Sequence, residues 1–197
     1  MLETTSFAIT PSTEQTEKPK MFSVHSIQSY EWNGSVLTGT LSKGEFCLYL
    51  LNDRMMRFIW NPFGPVDKSS SIAVSLNEQT ITGELTDTEK YLLLQTGIHE
   101  VVLTKDEFSI TVKKEGKIVF QTSSPALYYT SKNAVYLSVE KNSKAPIYGL
   151  GEKTGFIDKN GSKISNWNTD VYSPHNKDTV ELYQTIPLVF IHEGQRT

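Results

Sequence analysis

From Ser23 onward the sequence is a series of short runs of β-branched, aromatic and aliphatic residues, which turn-forming residues interrupt every eight to twelve positions. In "FSITVK", Phe108, Ile110 and Val112 alternate with polar residues, and this period of two predicts a strand with one buried and one solvated face. No segment of twelve or more residues has apolar positions at helical spacing, so helices are expected to be absent or to have a single turn. This pattern predicts an all-β fold, an antiparallel β-sandwich of ten to fourteen strands.

Turn chemistry between these runs predicts hairpins, because residues that accept a positive φ allow two strands to reverse tightly. Three connections have such residues: Asn33-Gly34, Asn52-Asp53 and Glu115-Gly116. The second is expected to be a two-residue turn leading into "RMMRFIW", in which Met56, Phe58 and Trp60 share one side of a strand.

Length and charge restrict the partners. A chain of 197 residues with a formal net charge of −3 has room for one domain, or for two small ones, and no window gathers the basic residues that a nucleic-acid or anionic-membrane surface needs.

The start "MLETTSFAIT" has neither a basic nor an apolar leader region, so a cytoplasmic protein is expected. Residues 1–20 are predicted to form a poorly ordered or loosely docked arm before a domain at 21–197. The single cysteine, Cys47, lies in an apolar run and is expected to be a buried thiol.

The spacing of the residues excludes several well-known motifs for nucleotide binding, metal binding and serine catalysis. The stretch "GEKT" has Glu152 where a phosphate-binding loop needs the glycine that precedes its lysine, here Lys153. Its glycines also miss the dinucleotide-binding fingerprint. The four histidines, His25, His99, His175 and His192, have no metal-ligand spacing. No G-x-S-x-G elbow accompanies the serines. We therefore expect no cofactor and no metal.

The segment "NWNTD" remains, with Trp167, Asn168 and Asp170. Sugars are recognised by planar hydrogen-bonding groups beside an aromatic ring, and this segment supplies both. The same residues have a structural interpretation, in which Trp167 anchors a core and the Asn and Asp side chains form turns. Composition alone leaves both interpretations open.

The stretch from Ile147 to His192 contains "YGLGEKTG", then "WNTD", then "LYQTIPLVF". This combination resembles glycoside hydrolase family 31, the α-glucosidase and α-xylosidase family. The resemblance implies a β-sandwich related to the galactose-mutarotase fold, placed before a catalytic (β/α)8 barrel. It also implies that a loop of the sandwich contributes an aspartate to the substrate pocket, and Asp170 occupies that position.

The resemblance further implies that Trp167 and Asn168 shape the Asp170 loop, so that these three are the expected substrate-binding residues. Gly149, Gly151 and Gly155 are expected to let the backbone turn tightly beneath the loop. Lys153 and Glu152 are expected to be local supports.

The reaction that the resemblance implies is retaining hydrolysis of terminal α-glucosidic bonds, which needs two carboxyl groups about 5 to 5.5 Å apart. The family carries them on a barrel of about 250 residues, and that barrel is expected to be absent from this chain. The chain is then an N-terminal domain, with no catalytic residue and no activity of its own. Its partners are an α-linked oligosaccharide or glucoside substrate and the missing barrel, with no nucleic acid and no membrane. A stand-alone carbohydrate-binding module is the alternative, and a mutarotase-like epimerase is a third hypothesis.

Overall fold

A computed structural model describes residues 2–9, 19–69, 81–179 and 181–193 of the chain. The described part contains fourteen strands: β1 (Leu2–Ile9), β2 (Met21–Ser23), β3 (Ile27–Trp32), β4 (Val36–Leu41), β5 (Glu45–Leu50), β6 (Met56–Asn61), β7 (Glu84–Asp87), β8 (Tyr91–Gln95), β9 (His99–Thr104), β10 (Ile110–Lys114), β11 (Lys117–Thr130), β12 (Val135–Asn142), β13 (Ile147–Gly151) and β14 (Thr185–Ile191). No helix occurs among these residues, and the all-β prediction is confirmed. Accordingly, none of the described segments is a helix that could cross a membrane.

The strands form three sheets. An eight-stranded sheet has the order β1-β12-β11-β10-β9-β8-β7, with β2 paired to β11, while β3-β4-β5-β6 form a four-stranded sheet and β13-β14 form a ribbon of two. The chain divides into two compact units: Thr4–Glu140, which we call the sandwich unit, and Met1–Glu3 with Lys141–Thr197, which we call the C-terminal unit. The four-stranded sheet and most of the eight-stranded sheet belong to the sandwich unit.

The core of the sandwich unit lies between these two sheets. Phe46 and Phe58, from β5 and β6, meet Phe108, which precedes β10, with ring centroids 6.0 to 6.2 Å apart. Aromatic rings at this separation attract one another in addition to burying apolar area. The other fully or nearly fully buried members are Val24, Leu37, Leu41, Leu48, Leu92, Leu94, Val101, Leu103, Ile110, Ala126 and Leu127. They come from both sheets, as in a β-sandwich.

The strand predicted at "FSITVK" is confirmed for its apolar side. Phe108 and Ile110 are buried and Val112 packs against the core. The β10–β11 hairpin turns at Glu115-Gly116, both with positive φ, as predicted. Ser109 was expected on the solvated side but is buried, because its N–H donates to Thr104 Oγ1 at 2.8 Å and the two hydroxyl oxygens lie 2.8 Å apart.

The Asn52-Asp53 connection is longer than predicted. Five residues, 51–55, separate β5 from β6, so the two-residue turn is wrong. The loop closes when the Leu51 N–H donates to the Met55 carbonyl at 3.0 Å, and Asn52 Oδ1 accepts the Arg54 N–H at 2.8 Å. Asn52 thus bonds to the backbone of its own loop, as asparagine commonly does in turns. Downstream, Met56, Phe58 and Trp60 share the core side of β6, as predicted.

At the amino terminus, residues 2–9 form β1, which neighbours β12. The rest of the expected 1–20 arm, from 10 to 18, lies outside the described residues. The limits of arm and domain therefore stay a prediction. Cys47 is a buried free thiol, as expected.

Gly39 in β4 offers a test of the packing. A Cβ there would lie 2.3 Å from the Ser29 carbonyl oxygen and 2.8 Å from the Phe46 ring. Gly39→Ala should therefore lower the free energy of unfolding by about 1 to 3 kcal/mol. Gly97→Ala is the matched control, since its Cβ would meet nothing within 4 Å, and it should change stability by less than about 0.5 kcal/mol. Urea unfolding measures both, and equal effects would contradict the packing argument.

Candidate functional site

The residues that carry the family resemblance lie in the C-terminal unit, around the β13–β14 ribbon. The two strands pair antiparallel, with Tyr148 opposite Phe190 and an irregularity between Gly149 and Gly151. Both glycines have left-handed φ values, 103° and 78°. A Cβ on Gly149 would lie 2.3 Å from the Leu188 carbonyl oxygen, so only glycine lets β14 approach so closely. The predicted tight backbone is present, but these two glycines lie within the ribbon.

Beyond β13 the segment 152–163 folds around the ammonium of Lys159, a buried residue. Its Nζ donates to the carbonyls of Thr154 at 2.7 Å and of Lys153 at 3.5 Å, and also to that of Phe156. Because a buried cation is costly unless it is hydrogen-bonded, these carbonyls and the ammonium hold one another in place. The loop is therefore anchored from within.

Asp158 fixes the same loop to the ribbon. Its Oδ1 accepts the Ile147 N–H at 2.9 Å and the Asn160 N–H at 2.8 Å. These backbone bonds, with a smaller contribution from Lys141, hold the pKa of the Asp158 carboxyl below its ordinary value. The neighbouring Phe156 and Ile157 are 89% and 82% exposed. An anchored loop thus presents two apolar side chains to solvent.

Lys153 contrasts with Lys159. Its Nζ is shielded from solvent and has no hydrogen-bond partner among the described residues. Burial lowers the pKa of the Lys153 ammonium, while Glu181 and Glu152 act in the opposite direction. The Glu152 N–H donates to the Gln184 carbonyl at 3.2 Å, which ties the end of β13 to the residue before β14. Glu152 therefore supports the ribbon locally, as expected, whereas the half-buried Lys153 makes no side-chain hydrogen bond among the described residues, although its charge is favoured by Glu181 and Glu152.

The "NWNTD" segment lies beside the start of β14 and is held there by hydrogen bonds. Asn168 forms an isolated parallel bridge with Leu182, and the Thr169 N–H donates to the Leu182 carbonyl at 3.0 Å. The Thr185 hydroxyl donates to Asn168 Oδ1 at 2.7 Å. Just beyond, the Tyr183 hydroxyl donates to the Val171 carbonyl at 2.8 Å. Hydrogen bonds to the backbone on both sides of Asp170, at Thr169 and Val171, therefore restrict where its carboxylate can reach.

The three predicted site residues are adjacent in sequence and all exposed. Trp167 is 54% exposed, so it is not the core anchor of the structural interpretation. Asn168 uses its side-chain oxygen on Thr185, which orients its amide NH₂. Asp170 is exposed, and its carboxylate has no hydrogen-bond partner within the described ranges. A free carboxylate can accept hydrogen bonds from the hydroxyl groups of a sugar.

A Ser-His-carboxylate chain, which the sequence analysis missed, occurs in the sandwich unit. Ser23 Oγ lies 2.9 Å from His25 Nε2, and His25 Nδ1 lies 2.8 Å from Glu107 Oε1. Because His25 and Glu107 are 82 positions apart in the sequence, no local motif indicates that they meet. Both side chains are more than half exposed, and catalytic electrostatics needs a site from which water is excluded. We interpret the contacts of Ser23, His25 and Glu107 as hydrogen bonds of the protein surface without a catalytic role.

Residues 45–197 match the model of the family described as "Glycosyl hydrolase 31 N-terminal galactose mutarotase-like domain". The chain belongs to this family. Over 189 residues this glycosyl hydrolase 31 domain is 30% identical to Alpha-glucosidase 2 of Bacillus thermoamyloliquefaciens, covering 95% of the chain and 24% of that protein. It is 34% identical over 92 residues to Probable alpha/beta-glucosidase agdC of Aspergillus fumigatus, covering 45% of the chain and 10% of that protein.

Solved structures resemble the domain in fold. A Flavobacterium johnsoniae GH31 dextranase complexed with glucose matches with a TM-score of 0.71 and 17% identity, over 86% of this chain and 21% of that one. The cycloalternan-forming enzyme from Listeria monocytogenes matches with a TM-score of 0.69 and 18% identity, over 88% of this chain and 17% of that one. The domain thus spans about a quarter or less of these relatives. The family and the sandwich fold implied by the sequence are confirmed, and the relatives favour a glycosidase domain over a stand-alone binding module.

Acidification should weaken the Asp158 anchor. Because the folded pKa lies below the ordinary value of 3.8, the stability that the ionised carboxylate contributes is present above pH 3.8 and is lost as the pH falls through the folded pKa. The difference in melting temperature between wild type and Asp158→Asn should therefore be larger at pH 6 than at pH 2.5. Asp178→Asn, at an exposed side chain that contacts Lys177, is the control. A difference that does not vary with pH would contradict this role.

Removing the Lys159 ammonium should open the loop. Lys159→Met leaves the Thr154 and Phe156 carbonyls without their donor, which should cost about 1 to 3 kcal/mol. The exposed Lys163→Met is the control and should stay within about 0.5 kcal/mol. Amide hydrogen exchange across 152–163 reports the change, and unaltered protection in Lys159→Met would exclude the anchoring role.

Proposed function

We propose that this domain is the amino-terminal part of a retaining α-glycosidase that hydrolyses terminal α-glucosidic bonds. The observation that carries the proposal is the 30% identity to an α-glucosidase across 95% of the chain, together with the family match. The substrate class that fits is an α-linked oligosaccharide or glucoside. The reaction would proceed on the rest of the polypeptide, where two carboxyl groups about 5 to 5.5 Å apart would act as nucleophile and as acid/base. The isolated chain should therefore be inactive.

The contribution of this domain to catalysis is substrate binding through the segment that carries Asp170. The Asp170 carboxylate accepts hydrogen bonds from sugar hydroxyls at the entrance of the pocket, and the backbone bonds of Thr169 and Val171 to their partners keep it in position. Preorganisation of this kind avoids the entropy cost of ordering a loop on each binding event. The half-exposed Trp167 ring offers a face for the apolar side of a sugar, and Asn168 offers its NH₂.

The described ranges contain no cluster of three or more His, Cys, Asp or Glu side chains with metal-binding geometry, and the absence of a cofactor stays a prediction. The catalytic barrel is the protein partner that the proposal requires. The cytoplasmic location stays a prediction, as does the absence of membrane and nucleic-acid partners.

Asp170→Ala in the intact enzyme tests the loop. Loss of a hydrogen bond to a carboxylate removes about 1.5 to 3 kcal/mol, so kcat/KM for maltose should fall about 10- to 100-fold. Because Asp170 is exposed, the free energy of unfolding should change by less than about 0.5 kcal/mol. Steady-state kinetics and urea unfolding measure the two quantities.

Asp178→Ala is the matched control, an exposed aspartate in the same loop region. It should leave kcat/KM within about twofold of wild type, since surface positions without a partner in the pocket have small effects. Unchanged kinetics in Asp170→Ala, or a loss of stability that accounts for the loss of activity, would refute the proposed role.

A further inference from the structure

Three aromatic side chains from both sheets of the sandwich unit meet at its surface. Phe22 in β2 lies opposite Tyr129 in β11, and the two rings stack with their centroids 5.2 Å apart. Phe63, which follows β6, meets the Tyr129 ring edge-on at 6.3 Å. Tyr129 packs against the core, whereas Phe22 and Phe63 are 42% and 47% exposed. We call these three residues the aromatic platform.

The two exposed rings of the platform are held by the backbone around them. Phe22 is fixed by the pairing of β2 with β11. The Phe63 N–H donates to Asn61 Oδ1 at 2.9 Å, and Asn61 Nδ2 donates to the Pro65 carbonyl at 2.8 Å. The Phe63 loop is therefore closed by one asparagine side chain. Rings presented in this way bind a ligand without the entropy cost of ordering them first.

Lys43, in the turn between β4 and β5, adds a hydrogen-bond donor beside the rings. Its Nζ lies 5.6 Å from the centroid of the Tyr129 ring, and its carbonyl accepts the Trp60 Nε1–H at 2.8 Å. Among the residues that the structure describes, no carboxylate forms an ion pair with this ammonium. An ammonium has three N–H groups to donate. The platform thus combines aromatic faces with a polar donor.

This combination suits a sugar better than other ligands. A pyranose ring has an apolar C–H side, which an aromatic face can cover, and a rim of hydroxyl groups, which a donor such as an ammonium can bind. A wholly apolar ligand needs a pocket that buries most of its surface, and two open rings do not provide one. A separate protein would bury about 800 Å² on each partner, whereas two half-exposed phenylalanine rings offer on the order of 200 Å².

We propose that the aromatic platform is a binding site for an α-linked glucan chain, additional to the segment that carries Asp170. All of its residues belong to the sandwich unit. The inference rests on the proposed function, because the α-linked substrate class comes from there. Such a site keeps a glucan chain on the enzyme between cleavage events, since a ligand held at one point stays at a high local concentration.

Affinity electrophoresis of the intact enzyme in native gels that contain soluble starch tests the platform, and its readout is mobility rather than turnover. Phe63→Leu keeps apolar bulk but removes the aromatic face, so the Kd for starch should rise about five- to tenfold. Phe63→Tyr keeps the ring and should stay within about twofold of wild type. Phe120→Leu is the matched control, an exposed phenylalanine on β11 of the same unit, and it should also stay within about twofold.

Phe22→Leu, on a strand instead of a loop, should weaken retention as Phe63→Leu does, and it decides the matter if Phe63→Leu fails to fold in urea unfolding. Equal Kd values in wild type and both leucine variants would overturn the proposal.

The outcome separates the platform from the proposed function. If Trp167→Ala abolishes retention by starch while the leucine variants keep it, or if starch does not retard an enzyme that hydrolyses maltose, the platform is overturned and the proposed function stands. If Asp170→Ala has normal kcat/KM while Phe63→Leu loses retention, the pocket role of Asp170 is refuted and the platform stands.

Discussion

The contact of Phe46, Phe58 and Phe108 between the two sheets is the interaction on which the sandwich unit depends. Each ring comes from a different strand or strand start, so their meeting fixes the four-stranded sheet against the eight-stranded sheet. The buried leucines and valines around them extend the same dry layer. Apolar burial of this kind is the main favourable term in folding. The described part of this unit is built from strands and loops without a helix.

The C-terminal unit is held together differently. Its loops depend on charged and polar groups that bond to backbone atoms. Lys159 binds carbonyls, Asp158 binds N–H groups, and Thr154 Oγ1 donates to the Thr179 carbonyl at 2.6 Å. Such interactions fix geometry with little buried area, because each bond satisfies a specific direction. This suits a unit whose loops must keep a fixed shape while their outer side chains remain free for other contacts.

The exposed side chains of this unit divide by chemistry. Asp170 and Trp167 combine hydrogen-bonding capacity with an aromatic face, which suits a sugar ligand. Ile186, Leu188 and Phe190 of β14 are apolar and about half exposed. In the proposed enzyme this unit contributes the Asp170 loop to the substrate pocket.

The sequence by itself determined the all-β class, the hairpin at Glu115-Gly116, the core side of β6 and the family, since alternation, turn chemistry and a local motif are all encoded in neighbouring residues. It also placed Trp167, Asn168 and Asp170 in one segment. Only the tertiary structure decided that Ser109 is buried, that Lys159 rather than Lys153 has partners, and that His25 lies beside Glu107. These outcomes depend on which distant segments meet, and on whether a polar group finds a bond when it leaves water. No local pattern of residues contains that information.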